Sequence, residues 1–212
     1  MTQDNVRVRA GWDRVDGQVL DQFREHSVAN LGDALDRLNI VDGGIAPVWA
    51  GARAVGTALP VLTVAGDNKA VIAALDHIRP GDILVINAFG YDGRAIVGDN
   101  LAQRFALFGA AGAVIDGYVR DAAIIESLGV PIFARGRTPA GPFKNGPGTI
   151  GEPVAIGGVV VNPGDIVAAD DDGVIVIPPH RAGEALRAVK EIVAREEGLD
   201  AEVEALRGQL AR

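Results

Sequence analysis

Two short stretches, Gly98-Asp99-Asn100-Leu101 and Arg120-Asp121, combine residue types that can bind a small oxo acid together with a metal ion. Backbone N–H groups at the start of a helix bind carboxylates, and an arginine clamps a carboxylate through paired hydrogen bonds. An aspartate supplies the hard oxygen ligand that divalent cations such as Mg²⁺ prefer. The two stretches together therefore indicate a site for a metal-bound oxo acid.

Each stretch also has a purely structural interpretation. Gly98 and Asp99 suit a tight turn and a helix N-cap, and Asp121 suits a second N-cap with Arg120 as its surface partner. The same string recurs as Gly66-Asp67-Asn68, again before a predicted helix, so the string alone is weak evidence. The functional interpretation gains weight because Arg120 follows the C-terminal end of a predicted buried strand, the edge at which α/β sheets bind ligands.

The elements that position these residues alternate between strand and helix from residue 67 to residue 134. Short apolar runs predict strands at 83–86, 113–115 and 130–134, and amphipathic segments predict helices at 67–78, 100–108 and 122–128. This alternation predicts an α/β fold with a central, largely parallel sheet and flanking helices. If the first two strands are neighbours, both acidic turns open onto one crevice, which is a hypothesis because sequence does not reveal strand order.

The flanking regions give further expectations. Helices are predicted at 15–25 and 31–38, the second capped by Asn30, and Pro60 is predicted to divide residues 52–65 into two short strands. The Gly- and Pro-rich stretch 136–148 is long for a connection, which favours a functional loop or an interface. The acidic run 170–173 resembles a cation cage but is more typical of a hairpin turn. A charged helix is predicted from 181 to about 206, interrupted at Gly198. We therefore predict one domain over 1–212, with N-terminal helices (1–40), an α/β core (41–179) and a C-terminal helix (180–212).

Composition excludes several classes of chemistry. The chain of 212 residues has no cysteine, which removes thiol nucleophiles, disulfides and cysteine-type zinc sites. His26, His77 and His180 lack metal-ligand spacing, and none of the three lysines lies in an apolar strand that would favour imine chemistry. The glycines of 109–112 lie between a helix and a strand rather than in the strand-to-helix turn of a dinucleotide site.

Charge and hydropathy restrict the partners. The formal net charge is -8 and the basic residues are not clustered, so nucleic acid is not an expected partner. No apolar run approaches the roughly 20 residues of a spanning helix, so no membrane partner is expected. The polar N-terminus lacks the apolar segment of a signal peptide, which predicts a cytoplasmic protein.

Four runs of the chain resemble the RraA-like family, which includes the class II 4-hydroxy-4-methyl-2-oxoglutarate / 4-carboxy-4-hydroxy-2-oxoadipate aldolases. The resemblance extends from about residue 30 to residue 179, and the spacing and the flanking strands of the two acidic turns both agree with it. The runs are Pro80-Gly81-Asp82-Ile83-Leu84-Val85, Gly98-Asp99-Asn100-Leu101-Ala102, Gly112-Ala113-Val114-Ile115-Asp116-Gly117-Tyr118-Val119-Arg120-Asp121 and Pro131-Ile132-Phe133-Ala134-Arg135-Gly136.

This resemblance implies a fold similar to the swivelling β/β/α type, assembled as homotrimers or pairs of trimers (hexamers). It also implies Mg²⁺- or Mn²⁺-dependent cleavage of 4-hydroxy-2-oxo diacids to pyruvate and a second oxo acid, with oxaloacetate decarboxylase activity. In that scheme the backbone of Gly98 to Leu101 receives the pyruvyl group of the small 2-oxo acid substrate. Arg120 pairs with its oxygens, Asp121 holds the metal, and Asp99 orients or deprotonates a water.

The family also contains a non-catalytic branch, similar to the protein regulator of ribonuclease E, which gives an alternative function. Members of that branch tend to lose the aspartate after the arginine, whereas this chain keeps Asp121. In the enzymes the N-terminal segment can approach the site of a neighbouring subunit, so Arg14 or Asp33 are candidates for substrate selection.

Overall fold

Strands and helices alternate through the middle of the chain, as the sequence predicts. The computed structural model describes residues 5–210. The strands are β1 (Val6–Val8), β2 (Ala46–Pro47), β3 (Ala54–Thr63), β4 (Asp82–Asn87), β5 (Ala95–Val97), β6 (Gly112–Val119), β7 (Ile132–Arg137), β8 (Gly148–Ile150), β9 (Val154–Ile156), β10 (Val159–Val161), β11 (Ile166–Asp170) and β12 (Gly173–Ile177). The helices are α1 (Gly17–Arg24), α2 (Val28–Ala34), α3 (Lys69–Ala74), α4 (Asp99–Leu107), α5 (Ala122–Ser127) and α6 (Ala182–Leu210).

The centre of the main sheet is parallel, which confirms the predicted fold class. Strands β3, β4, β6 and β7 lie side by side in that order, and each neighbouring pair is parallel. Strands β8 and β11 pair antiparallel with β3, and β12 extends the sheet from β11. The result is a mixed α/β domain whose central strands are buried, as their continuous apolar runs require.

Both faces of this sheet are covered by apolar side chains. Helices α3, α4 and α5 cover one face, where Ile86 and Ile115 pack in the same cluster as Phe105. The β9–β10 hairpin covers the other face, with Ile156 and Val161 among its buried residues. Helices α1, α2 and α6 form a third cluster against β11 and β12. Sheet and helices are therefore fixed relative to one another by aliphatic packing.

Strand β3 is continuous, so the predicted break at Pro60 is wrong. Strand β11 pairs with β3 up to Thr57, and β8 begins its pairing at Val61. The N–H of Ala58 faces this edge, where it donates to the Asp165 carbonyl (2.7 Å). Since the N–H direction alternates along a strand, the position of Pro60 faces the same edge, in the gap between the two partner strands. The missing N–H of the proline therefore removes no ladder hydrogen bond.

Two helix predictions also need correction. Ser27, not Asn30, caps α2, because the Ser27 side chain accepts a hydrogen bond from the Asn30 N–H (3.2 Å). That helix ends at Ala34 and not at residue 38. Asp36 and Arg37 adopt positive φ angles, which are incompatible with a right-handed helix. Helix α6 passes through Gly198 without interruption, since a single glycine weakens a helix without breaking it.

The acidic run 170–173 forms the turn of the β11–β12 hairpin, as its turn interpretation predicts. Asp170 and Gly173 are paired across the hairpin. The carboxylates accept backbone hydrogen bonds, Asp170 from the Val28 N–H and Asp171 from the Gly51 N–H, both at 2.8 Å.

No helix within residues 5–210 is both long enough and apolar enough to cross a membrane.

Candidate functional site

The short strand β5 brings Gly98 and Arg120 together. Strand β4 pairs with β6 as far as Asp116, and β5 then takes over the same edge of β6 beside Tyr118 and Val119. The Arg120 N–H donates to the Val97 carbonyl (3.0 Å), so the residues that follow β5 and β6 lie side by side. The two acidic turns thus meet at the C-terminal edge of the sheet, although the sequence pattern had not predicted β5.

Gly98 lies against the Arg120-Asp121 pair with no room for a side chain. A Cβ at Gly98 would lie 2.6 Å from Asp121 Oδ2 and 3.1 Å from Arg120 Nε. The backbone of Gly98 is extended (φ -130°), so the close approach, and not the backbone angle, requires a glycine here. Any larger residue would displace the Asp121 carboxylate.

The Asp121 side chain does not cap α5, contrary to its structural interpretation. The residue occupies the N-cap position with a left-handed backbone (φ 60°), and its side chain makes no capping hydrogen bond. Its Oδ2 instead accepts from Arg120 Nε (3.1 Å) and, at a longer distance, from the Asp99 N–H (3.4 Å). Positive φ in a non-glycine residue is uncommon and occurs often at functional sites.

At the start of α4, Gly98 rather than Asp99 occupies the N-cap position. Asp99 is the first helical residue, and its Oδ1 accepts a hydrogen bond from the Asn100 N–H (2.7 Å). The Leu101 N–H has no acceptor among residues 5–210. An anion that reaches this helix start therefore meets an unused backbone donor.

A cavity of about 240 Å³ opens onto this helix start. Gly98 to Leu101 and Arg120 line it, so all but one of the sequence-predicted site residues contribute to one cavity. Arg104 and Lys144 add two further cations to its wall. Three basic side chains around a helix N-terminus make an environment that favours a small anionic ligand.

Asp121 lines a neighbouring cavity of about 350 Å³, not the first one. Arg120 lines both cavities, and Arg137 and Thr138 also line the second. The proposed metal ligand and the proposed carboxylate-binding helix start are therefore connected through the Arg120 guanidinium.

The loop between β7 and β8, which contains most of the Gly- and Pro-rich stretch, contributes Pro142 and Lys144 to the lining of the first cavity. Asp67 anchors this loop, because its Oδ2 accepts from the N–H groups of Asn145 and Gly146, both at 2.8 Å. The same carboxylate accepts from the Lys69 N–H at the start of α3 (2.8 Å). The second Gly-Asp-Asn string is thus a loop anchor as well as a helix start, which sequence reasoning missed.

The residues present fit a weakly held divalent cation. Asp121 is part-exposed, and its Oδ1 has no hydrogen-bond donor among residues 5–210. Within that range no three or more His, Cys, Asp or Glu side chains gather around a metal position. A single carboxylate is sufficient for Mg²⁺ when water and a chelating ligand supply the remaining oxygens. The geometry therefore suits a cation that binds together with a chelating ligand.

A separate ionic network joins β6 and β7 to the segment before β2. Arg135 Nε donates to Asp116 Oδ1, its Nη1 lies 2.9 Å from Asp42 Oδ2, and Asp116 Oδ2 accepts from the Gly157 N–H (3.1 Å). Hydrogen bonds to Asp116 and Asp42 raise the pKa of Arg135. The Gly44 N–H and then Arg135 lower the pKa of Asp42.

Neither Arg14 nor Asp33 reaches the cavity of its own chain. Arg14 forms a two-point ion pair with the buried Asp82 (2.8 and 2.9 Å), which lies at the start of β4, at the opposite end of that strand from the site. Asp33 pairs with Arg37 on the surface (3.1 Å). A role for either residue in substrate selection remains a prediction about a neighbouring subunit.

Comparison with known proteins shows the family to which this chain belongs. The RraA-like family model, described as Aldolase/RraA, matches residues 28–176. A Halalkalibacterium halodurans protein with the provisional name 4-hydroxy-4-methyl-2-oxoglutarate aldolase is 38% identical over 197 residues, covering 91% of this chain and 94% of that protein.

Two solved structures of RraA proteins are also similar to this chain. Streptomyces coelicolor RraAS2, described as an unusual member of the RNase ES inhibitor RraA family, superposes with a TM-score of 0.82 at 33% identity, covering 90% of this chain and 99% of that one. The RNA-processing inhibitor RraA of Thermus thermophilis superposes with a TM-score of 0.66 at 29% identity, covering 72% of this chain and 93% of that one. With a family match over most of its length, the chain belongs to the RraA-like (Aldolase/RraA) family.

Proposed function

We propose that the protein is a metal-dependent pyruvate aldolase that cleaves 4-hydroxy-4-methyl-2-oxoglutarate-type diacids to pyruvate and a second oxo acid. One observation carries the proposal: the start of α4 and Arg120 share one cation-lined cavity, with the Asp121 carboxylate directly behind Gly98. The aldolase name of the Halalkalibacterium halodurans relative supports a lyase role.

Binding of the oxo acid is assigned to backbone and guanidinium groups. The carboxylate of the pyruvyl group accepts from N–H groups at the start of α4, where the Leu101 N–H has no acceptor within residues 5–210. Arg120 donates to the oxygens of the same group, and as a permanent cation it stabilises negative charge there without reorganising. Asp121 would hold Mg²⁺ or Mn²⁺, which when bound supplies Lewis-acid stabilisation of negative charge on oxygen.

The reaction itself requires one proton acceptor. In the cleavage, the C4 hydroxyl loses its proton, the C3–C4 bond breaks, and its electron pair moves into the C2 carbonyl to give pyruvate enolate. The acceptor then returns this proton to C3 of the enolate, which completes pyruvate with no net gain or loss of protons. Asp99 is suited to orient or deprotonate a water in this step, because among residues 5–210 only its Oδ1 accepts a hydrogen bond, from the Asn100 N–H. Oxaloacetate reaches the same enolate by loss of CO₂, so decarboxylation is an expected second activity.

A coupled assay of pyruvate release tests this proposal. The purified protein is given 4-hydroxy-4-methyl-2-oxoglutarate or oxaloacetate with Mg²⁺, with Mn²⁺, or with a chelator. We expect release with either metal and loss of release with chelator. Equal rates in all conditions would remove the metal from the proposal, and no release from either substrate would exclude the enzyme.

A protein-binding role is the second candidate, and the likeness to the two RraA structures favours it. Such a role needs surface recognition of an endoribonuclease and no chemistry. Co-purification with ribonuclease E, together with inhibition of its RNA cleavage, would support this role. Pyruvate release without binding to ribonuclease E would exclude the protein-binding role and support only the aldolase function.

We also propose that the protein is a homo-oligomer, a trimer or a pair of trimers. The outer part of α6 supports this, since Leu199, Val203, Leu206 and Leu210 are all exposed at helical spacing. Apolar side chains in such a row are usually covered by a partner. Light scattering should give a multiple of the 22.0 kDa chain mass, and a mass of one chain at working concentration would contradict the proposal.

A further inference from the structure

Asn68 is a buried residue that lines the first cavity and that the proposed mechanism does not use. It is 5% exposed and closes the second Gly-Asp-Asn string. Its backbone N–H donates to the Phe143 carbonyl (3.0 Å) in the loop between β7 and β8. Its Nδ2 donates to the Ile96 carbonyl (3.0 Å), and its Oδ1 has no hydrogen-bond donor among residues 5–210.

The orientation of the Asn68 amide follows from its partner. The Ile96 carbonyl can only accept, so the NH₂ group and not the oxygen must face it. Oδ1 is therefore a fixed, buried acceptor of a residue that lines the cavity. A buried acceptor without a donor is rare in native proteins and costs folding free energy, so an unpaired Oδ1 calls for a donor from outside the chain.

The other polar groups of the cavity point to the kind of donor. Arg104, Arg120 and Lys144 are donors that suit carboxylate and keto oxygens, which cannot donate to Oδ1. Oxaloacetate in its keto form is ionised at neutral pH and carries no hydrogen-bond donor. A 4-hydroxy-2-oxo acid carries one, its C4 hydroxyl.

We propose that Asn68 Oδ1 accepts a hydrogen bond from the C4 hydroxyl of the substrate and so selects hydroxy acids over simple oxo diacids. This inference rests on the proposed aldolase function and names the substrate feature read by the same cavity. Asn68 is then a specificity-determining residue: it positions the hydroxyl, and the proton leaves to another acceptor. Oδ1 is buried, so the hydroxyl reaches it only when the side chains that cover Oδ1 move aside.

The test compares two reactions in one variant. Asn68→Leu keeps the approximate shape of the side chain and removes the acceptor. We expect kcat/KM for the 4-hydroxy-2-oxo acid to fall by about 10- to 100-fold, the usual effect of one lost hydrogen bond to a buried group. Oxaloacetate decarboxylation should fall far less, so the ratio of the two kcat/KM values changes. Asn68→Ser keeps an acceptor on a shorter side chain, so the ratio of the two kcat/KM values should change less than in Asn68→Leu. The serine variant replaces the leucine variant in this test if the latter does not fold.

The outcomes separate the inference from the function on which it rests. Asn68 also donates hydrogen bonds to the carbonyls of Ile96 and Phe143. If its role is limited to these two hydrogen bonds, substitution would lower kcat/KM of both reactions by the same factor. That result would overturn the inference and leave the proposed function intact. An unchanged ratio in both variants would overturn it in the same way. If the wild-type protein releases pyruvate from neither substrate, the proposed function fails and the inference fails with it.

Discussion

Gly98 and Asp121 approach so closely that a single methyl group on Gly98 would lie 2.6 Å from the Asp121 carboxylate. This contact joins the two acidic turns, and Arg120 lies beside it with its Nε 3.1 Å from the same position. The position of the proposed metal ligand Asp121 is therefore fixed by the absence of a side chain at Gly98, at the helix start proposed to bind the oxo acid.

Gly98→Ala should lower kcat/KM for pyruvate release by about 100-fold, since displacing a catalytic group by about 1 Å has effects of this size. The backbone at Gly98 is extended, so alanine brings no backbone strain and the melting temperature should change little. Gly17→Ala is the matched control, because a Cβ there meets nothing within 4 Å. Full activity in Gly98→Ala would mean that the Asp121 position is not critical.

Asp121→Asn should abolish the metal-dependent part of turnover and leave the fold intact. The carboxylate does not cap α5, and asparagine tolerates the left-handed backbone at this position. Pyruvate release would be measured against Mg²⁺ concentration for wild type, for Asp121→Asn and for the exposed control Asp92→Asn. Metal activation that survives in Asp121→Asn would show that another residue holds the metal.

Arg120→Lys should reduce kcat/KM by about 100-fold, similar to removing one preorganised donor at a developing negative charge. Lysine keeps the charge but lacks the planar fork with which Arg120 contacts Asp121 and lines both cavities. The same change at Arg9, whose guanidinium has no partner among residues 5–210, is the control for the general effect of lysine. If Arg120→Lys retains wild-type kinetics, the arginine acts only as a point charge.

The sequence predicted the parts of the site that depend on local patterns. The apolar runs that became β4, β6 and β7 predicted the parallel sheet, and the sheet places Arg120 at its ligand-binding edge. Strand β5 was missed because it has only three residues and forms where β4 ends, which depends on tertiary pairing. The anchoring role of Asp67 was hidden because its loop partners lie 78 and 79 residues away along the chain.

Arg135→Met should lower the free energy of unfolding by about 2–3 kcal/mol, because it leaves the Asp116 carboxylate, 12% exposed, without its cation. Urea unfolding measures this change. Arg207→Met removes a surface pair with Glu204, both largely exposed, and should change stability by no more than about 0.5 kcal/mol. If both substitutions change the free energy of unfolding equally, the Arg135 network contributes no more to stability than an exposed ion pair.

Asp165 gives the domain a pH dependence of predictable sign. Burial raises the pKa of this carboxyl, while hydrogen bonds from Asn162 and the charge of His180 act in the opposite direction. A folded-state pKa above the unfolded value means that the native state binds more protons in the interval between the two. The stability contribution of Asp165 is therefore greatest below the ordinary aspartate pKa, about 3.9, and is lost as pH rises through the raised value.

Asp165→Asn removes this titration, so the unfolding free energy of wild type minus that of the variant should increase on acidification from neutral pH. Glu184→Gln provides a control of opposite sign, because the hydrogen bond from Arg181 lowers the pKa of Glu184. The unfolding free energy of wild type minus that of Glu184→Gln should therefore be largest at neutral pH and should decline as pH falls through the lowered pKa of Glu184. Urea unfolding of the three proteins across the acid range measures both differences. A wild-type advantage over Asp165→Asn that is independent of pH would show that Asp165 is not held in a desolvated position.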